Sequence, residues 1–164
     1  MEQLWAPWRM ELIEKGDAKQ ACIFCDLPRS PDDRQNLILG RTPHTFAILN
    51  RYPYNNGHLM VVPRAHEADL ASLPRDQHEE LAEMLRVAIR LVGQAYKAQG
   101  HNVGMNLGRA AGAGIAEHVH WHVVPRWNGD TNFMPVLGDV KVLPQDLETT
   151  AANLREAFIR LGPL

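Results

Sequence analysis

The chain has 164 residues, of which 45% are hydrophobic and 22% charged, with a formal net charge of −2. These values are typical of one globular domain with a substantial hydrophobic core. The near-neutral charge argues against a basic surface, so no nucleic-acid partner is expected. No apolar run approaches the roughly 20 residues that span a bilayer, and no signal-peptide pattern opens the chain. We therefore expect a cytoplasmic protein with no membrane partner.

Apolar runs that alternate with turn signals predict an antiparallel sheet. Residues 1–36 lack such runs and are predicted to be an irregular amino-terminal extension, which is expected to join residues 37–164 in one structural unit. Short apolar stretches bounded by Gly, Pro and Asn are typical of strands. They predict five strands, at residues 37–39, 45–49, 57–63, 101–108 and 118–124.

Two segments have the periodicity of helices. From Pro74 to about Gln99, apolar residues recur at intervals of three and four, which predicts a long amphipathic helix ending near Gly100. A shorter carboxy-terminal helix is predicted from about Gln145 to Leu161. Strand pairs combined with one long helix predict an α+β fold, in which an antiparallel sheet of about five strands carries helices on one face.

The motif HVHWHVV places His118, His120 and His122 two residues apart. On a strand, these residues share one face, and Val119 and Val123 take the core side. Neighbours on that face are roughly 6.6 Å apart, whereas two nitrogens on one zinc ion are at most about 4.2 Å apart. A pair can converge on one ion by leaning inward, but three in a row cannot easily do so. At least one histidine should therefore serve something other than a metal.

The loop GRAAGAGIA, which precedes the histidines, contains Gly108, Gly112 and Gly114. Backbone N–H groups of such a loop can approach an anionic oxygen closely. Many surface turns look similar, but the position of this loop beside three imidazoles favours phosphate chemistry, since a neutral imidazole is a competent nucleophile. The clustering of three of the eight histidines disfavours the alternative, a solvated polar strand face.

Cys22 and Cys25 form a C-x-x-C pair. Two cysteines cannot provide a disulfide framework for a chain of this size. The pair alone is compatible with a redox centre, a zinc site or two reduced thiols. A redox pair usually follows a buried strand, whereas the preceding EKGDAKQA is polar, and a zinc site needs two further ligands.

HVHWHVV resembles the signature of the histidine triad (HIT) superfamily of nucleotidyl hydrolases and transferases. The resemblance extends from Cys22 to Trp127 and includes LNRYPYNNGHLMVVP and NLGRAAGAGIAEH. The segments LWAPWR, CIFC and HVVPRWNGDTNFMPV resemble the bacterial branch that includes diadenosine tetraphosphate phosphorylases. The resemblance implies a HIT-like fold, a homodimer and attack on a dinucleoside polyphosphate or related adenine nucleotide.

The resemblance also implies a role for individual residues. His120 would be the nucleophile on the α-phosphorus, and His122 would contact the phosphate and the leaving group. Residues with an implied nucleotide-binding role are Asn50, His58, Asn106, Gly112, Gly114 and Ile115. For His58, a buried and hydrogen-bonded structural role is an equal alternative.

Many members of the superfamily carry Gln–Ser or Gln–Thr where this chain has Gly114 and Ile115, and their loop is one residue shorter. The change removes polar side chains and leaves backbone contacts to the phosphate. It is compatible with a phosphorolytic enzyme, in which inorganic phosphate needs space beside the α-phosphate.

By the same resemblance, a structural zinc ion would be bound by Cys22, Cys25, His66 and His118. Coordination by four protein ligands would fix the extension against the catalytic strand. No organic cofactor is expected. Two other classes remain open: a nucleotide-binding protein with weak phosphoramidase or hydrolase activity, and a redox or zinc-storage protein that depends on its cysteines.

Overall fold

The protein folds around one five-stranded antiparallel sheet. The structure is a computed structural model and describes residues 22–161 of the chain. The strands are β1 (Ile38–Arg41), β2 (Thr45–Leu49), β3 (Leu59–Pro63), β4 (Gly100–Met105) and β5 (Trp121–Arg126). Their order is β1-β2-β3-β5-β4, so β5 is inserted between β3 and β4, and β4 is an edge strand.

Helices pack against this sheet and complete the core. They are α1 (Ile23–Asp26), α2 (Arg75–Tyr96), α3 (Met134–Gly138) and α4 (Leu147–Leu161). The long helix α2 packs against β2, β3 and β5, and α4 packs against β1 and α2. The buried residues of α2 recur at three and four, as an amphipathic helix requires: Leu81, Met84, Ala88, Leu91 and Val92. The predicted α+β architecture is confirmed.

Several element boundaries differ from the predicted ones. Helix α2 ends at Tyr96 because Lys97 adopts a left-handed conformation with φ 51°. Gly100, predicted to end this helix, instead begins β4. Strand β4 stops at Met105, which is paired with Trp121, rather than continuing to residue 108. The short helices α1 and α3 are too brief to produce a recognisable apolar period.

Strand β5 begins at Trp121, not at His118 as the motif predicts. The reason is a different backbone partner, since the N–H of Val119 donates to the carbonyl of Glu67 (2.7 Å) and not to a neighbouring strand. His118 and His120 therefore lie just before the strand. Their side chains are not held in one flat row.

Residues 22–36 belong to the predicted extension, and residues 1–21, including LWAPWR, lie outside the described part. The described part contains α1 and a 3₁₀ turn (Leu27–Arg29), so it is less irregular than predicted. Phe24 of α1 is 1% exposed and is part of the hydrophobic core. Among residues 22–161, no helix is both long and apolar enough to cross a membrane.

Candidate active site

The three histidines of the motif point into two adjacent clusters. His118 faces Cys22 and Cys25, whereas the rings of His120 and His122 lie together with centroids 4.9 Å apart. The chain turns at the start of β5, so the histidine nearest the extension is directed away from the other two. We call the first group the metal cluster (Cys22, Cys25, His66, His118) and the second the catalytic cluster (His58, His120, His122).

The metal cluster has the donor set and the spacing of a tetrahedral zinc site. One ligand atom from each of its four residues lies within 4.8 Å of the others. Nδ1 of His118 is 3.3 Å from Sγ of Cys22, and Nδ1 of His66 is 3.3 Å from Sγ of Cys25. Zinc–ligand bonds of roughly 2.1–2.3 Å in a tetrahedron give edges of about 3.6 Å. The four residues therefore fit the ion.

His118 is oriented as a metal-binding imidazole usually is. Its Nε2–H donates to the carbonyl oxygen of Pro63 (2.8 Å), which leaves the lone pair of Nδ1 directed at the two sulfur atoms. A carbonyl behind a ligand imidazole fixes its tautomer and orientation. Burial raises the pKa of the Cys25 thiol, and the hydrogen bond that this thiol donates to Cys22 raises it further.

In His120, the ring nitrogen opposite the hydrogen-bonded one is unprotonated. Its Nδ1–H donates to the carbonyl oxygen of His118 (2.8 Å), so the lone pair of a neutral ring lies on Nε2. Burial lowers the pKa of His120, although this hydrogen bond partly opposes the shift. At neutral pH the ring is therefore uncharged and nucleophilic, as a covalent role requires.

His58 and His122 form a directed hydrogen-bond chain. The backbone N–H of Tyr54 donates to Nδ1 of His58 (3.1 Å), so a neutral His58 carries its proton on Nε2. That Nε2 is 3.0 Å from Nδ1 of His122, which must accept. The proton of a neutral His122 is consequently on Nε2.

The surroundings of His58 keep it neutral. The residue is fully buried, and burial lowers its pKa to about 3, with smaller contributions from the charges of His122 and His120. The side-chain nitrogen of Asn50 lies 3.3 Å from Nδ1 of His58, and its oxygen accepts from the N–H of Tyr52. Asn50, for which a nucleotide-binding role is predicted, thus helps to position His58.

The glycine-rich loop lies between β4 and β5. It contains a 3₁₀ turn (Arg109–Ala111) flanked by Gly108 and Gly112, both with positive φ, and the side-chain nitrogen of Asn106 is 3.5 Å from the Gly112 carbonyl. Gly114 is exposed, and a Cβ there would meet no atom within 4 Å. Ile115 is half-buried and packs on the core.

Two aromatic residues enclose the catalytic cluster, and neither is evident from the motif. The ring of Phe24 lies 5.4 Å from that of His118 and 4.9 Å from that of His120. The ring of Tyr54 lies 4.7 Å from that of His58 and is tilted by 34° relative to it. Phe24 lies between the two cysteines of CIFC in the sequence. The same short segment therefore supplies two thiols to the metal cluster and an aromatic contact to the catalytic cluster.

Comparison with known proteins identifies the family. A HIT domain family model matches residues 33–129. The chain is 39% identical to an AP-4-A phosphorylase of Mycobacterium tuberculosis, over 98% of this chain and 86% of that protein. The chain belongs to the histidine triad family. As its sequence predicts, it is an enzyme of the transferase or hydrolase class.

Other members of the family are also similar. An adenosine 5′-monophosphoramidase of Saccharomyces cerevisiae is 34% identical over 65% of this chain and 63% of its own length. A zinc-bound histidine triad family protein of Mycobacterium smegmatis superposes with a TM-score of 0.68 at 28% identity, over 86% of this chain and 95% of that one. The fold described above is the fold of this family.

Proposed function

We propose that this histidine triad enzyme is a dinucleoside polyphosphate phosphorylase that forms a nucleotidyl intermediate on His120. The observation that carries the proposal is the pair of fixed tautomers, with a lone pair on Nε2 of His120 and a proton on Nε2 of the adjacent His122. The similarity along almost the whole chain to a phosphorylase that acts on AP-4-A supports this substrate class over other nucleotides.

In the first step, Nε2 of His120 attacks the α-phosphorus of diadenosine tetraphosphate. The bond from this phosphorus to its bridging oxygen breaks, and the electron pair stays on that oxygen, which leaves as the terminal phosphate of ATP. The Nε2–H of His122 donates to the departing oxygen, and backbone N–H groups near Gly114 and Ile115 bind the α-phosphate oxygens. Such preorganised donors stabilise charge that develops in the transition state.

In the second step, an oxygen of inorganic phosphate attacks the phosphorus of the intermediate. The phosphorus–nitrogen bond breaks, its electron pair returns to Nε2 of His120, and ADP is released. Phosphate needs room on the side from which ATP departed. The exposed Gly114 and the open space around it are compatible with that requirement.

We also propose that the metal cluster binds a structural zinc ion through Cys22, Cys25, His66 and His118. The bound ion would cross-link its four ligands and take no part in the reaction, since four protein ligands leave no open coordination position. The zinc-bound relative and the fit of the donor set support this assignment. Metal analysis of protein purified without chelator should give about one zinc ion per chain.

The edge strand β4 supports the further proposal of a homodimer. Asn102, Val103 and Gly104 are exposed, and the outer side of β4 faces no strand among residues 22–161. An uncovered edge strand offers a row of backbone donors and acceptors to a second copy. Light scattering coupled to size-exclusion chromatography should give twice the mass of the chain.

The test of the proposed reaction is incubation with diadenosine tetraphosphate in the presence and absence of inorganic phosphate. A phosphorylase produces ADP and ATP only when phosphate is added, whereas a hydrolase produces AMP and ATP from water alone. The variant His120→Asn should lose about 10⁴-fold or more of the activity, since no other described group replaces the nucleophile. His78→Asn, on the exposed side of α2, is the matched control and should be unchanged.

Full activity of His120→Asn would contradict the mechanism. Equal product formation with and without phosphate would replace the phosphorylase by a hydrolase. Rapid turnover of adenosine 5′-phosphoramidate combined with none of diadenosine tetraphosphate would instead place the enzyme with its yeast relative, the second candidate function.

A further inference from the structure

A pocket with charged side chains in its lining lies next to the catalytic cluster. Its volume is about 290 Å³, and its lining includes Tyr54, Asn55, Asn102, Arg126, Asp130 and Lys141. We call it the tail pocket. Tyr54 connects it to the active site, because its ring also stacks near that of His122, with the centroids 6.1 Å apart.

Strand register places the tail pocket on the same face of the sheet as His122. Along β5, His122, Val124 and Arg126 alternate and therefore share a face. On the adjoining edge strand, Gly104 and Asn102 pair with His122 and Val124, so small side chains cover this surface. At a rise of roughly 3.3 Å per residue, Arg126 lies about 13 Å from His122 along the strand.

Hydrogen bonds to neighbouring residues fix the orientation of the Arg126 guanidinium. Its Nε and Nη2 donate to the carboxylate of Asp130 (2.6 and 2.9 Å), and its Nη1 donates to Oδ1 of Asn102 (2.9 Å). Asp130 is 7% exposed and also accepts from the side chain of Asn55 and the N–H of Trp127. Three of the five guanidinium N–H groups are thus used. The side chain of Arg126 is 49% exposed, so the remaining donors can reach a ligand.

The charge and the size of the tail pocket suit phosphate groups. Lys141 provides a second cation, anchored by a bond from Nζ to the carbonyl of Asp130 (3.2 Å). Two cations and one carboxylate line the pocket, which leaves one net positive charge. The volume is slightly below the roughly 300–1,000 Å³ of typical small-molecule sites. One or two phosphate groups fit within this volume, and the positive charge favours them.

We propose that the tail pocket binds the phosphate chain of the leaving nucleotide, with Arg126 and Lys141 contacting the phosphates that are furthest from His122. The inference rests on the proposed function, since it requires attack at the α-phosphorus and departure of the remaining polyphosphate past His122. Inorganic phosphate shares this chemistry. Because it must attack the phosphorus directly beside His122, it cannot react from a position about 13 Å away.

Calorimetric binding to the full chain with His120→Asn, which does not turn over, tests the proposal. Diadenosine tetraphosphate should bind about threefold more weakly when Lys141→Gln is added, the effect of one exposed ion pair. It should bind about tenfold more weakly when Arg126→Gln and Asp130→Asn are added together. The double change avoids leaving the buried Asp130 carboxylate without its cation. Affinity for AMP, which lacks the phosphate chain, should stay the same in every variant.

Arg75→Gln is the matched control, because Arg75 is an exposed cation at the start of α2, paired with Glu79. In the enzyme with His120 restored, Lys141→Gln should raise the KM for diadenosine tetraphosphate and leave the KM for inorganic phosphate unchanged. A rise in the phosphate KM alone would assign the pocket to inorganic phosphate and overturn the proposal.

Unchanged affinity for diadenosine tetraphosphate in both pocket variants, or equal weakening of AMP, would also overturn it. The proposed function fails differently, by the absence of turnover in the unaltered enzyme. In that case, binding of inorganic tripolyphosphate to the unaltered chain and its loss in the pocket variants would still support a phosphate-chain site. Equal binding to all variants would overturn the site as well.

Discussion

The metal cluster and the catalytic cluster use the same residue type, from neighbouring positions of one motif, for different purposes. In the metal cluster, the outer nitrogen of His118 is tied to a carbonyl and the inner one faces two sulfur atoms. In the catalytic cluster, His120 is tied to a carbonyl through Nδ1, and His122 accepts from another imidazole. The hydrogen-bond partner of one ring nitrogen therefore determines the role that is open to the other nitrogen of the same ring.

The two clusters are also mechanically connected. The carbonyl that orients His120 belongs to His118, and Phe24 contacts the rings of both residues. A change in the metal cluster should therefore reach catalysis only through position, whereas a change in the catalytic cluster should affect chemistry directly. The predictions below separate these two effects.

Among variants that keep the nucleophile, the largest effect is expected from His122→Ala. Loss of one preorganised donor to the departing oxygen should lower kcat by about 10²–10³-fold. Zinc content should stay close to that of the unaltered protein, because His122 is not part of the metal cluster. Steady-state assays with diadenosine tetraphosphate, together with metal analysis, measure both.

The leaving group sharpens this test. An amine departs from phosphorus only with a proton, so the loss caused by His122→Ala should be larger for adenosine 5′-phosphoramidate than for diadenosine tetraphosphate. A variant that loses zinc, or that loses the same factor with both substrates, would contradict the role assigned to His122.

The next effect is expected from Cys25→Ser, which removes one ligand of the metal cluster. Zinc content should fall from about one ion per chain towards zero. A destabilisation of about 3 kcal/mol would lower the thermal midpoint of a chain of this size by roughly 10 °C. Calorimetry and metal analysis of the same preparation measure the two quantities.

Well below its midpoint, Cys25→Ser should keep more activity than His122→Ala, because the nucleophile and its neighbours remain. His78→Asn is the control for substitution as such. If Cys25→Ser inactivated the folded enzyme as completely as His120→Asn, the assignment of a purely structural role to the metal cluster would be wrong.

Periodicity predicts the five strands and the long helix. The resemblance predicts catalytic roles for His120 and His122 and the four ligands of the metal cluster, but it does not group His58 with the catalytic histidines. Neither predicts the contacts that give each histidine its direction. The bond between His58 and His122 joins residues 64 positions apart, and that between Cys22 and His118 joins residues 96 apart. Both depend on the insertion of β5 between β3 and β4, a topological choice that local patterns do not encode.

The same limit explains the error at the start of β5. Alternation in HVHWHVV is compatible with a strand from residue 118, and only the long-range bond from Val119 to Glu67 ends the ladder at Trp121. Phe24 and Tyr54 are missed for a related reason. An aromatic residue in a short helix or loop can have many roles, and the contact that determines its role comes from another part of the chain.

The last effect concerns pH and distinguishes the two clusters by the protons that they take up. The pKa of His58 is lowered to about 3, whereas the ordinary value is 6.5, so an unfolded chain takes up this proton first as the pH falls. The associated stability is fully present above pH 6.5 and decreases towards pH 3, by at most about 1.4 kcal/mol per pH unit. Chemical unfolding at several pH values should show about one additional proton bound by the unfolded state near pH 5.

His58→Gln keeps a hydrogen-bonding side chain at this position but cannot titrate. The slope of its unfolding free energy against pH between pH 6.5 and 4.5 should therefore be smaller, by the equivalent of about one proton. Cys25→Ser keeps His58 and should keep the contribution of His58 to this slope. Equal slopes for His58→Gln and the unaltered chain would mean that His58 is protonated in the fold. The tautomer chain that gives His122 its outward proton would then be incorrect, and the contrast between the two clusters would rest on the metal alone.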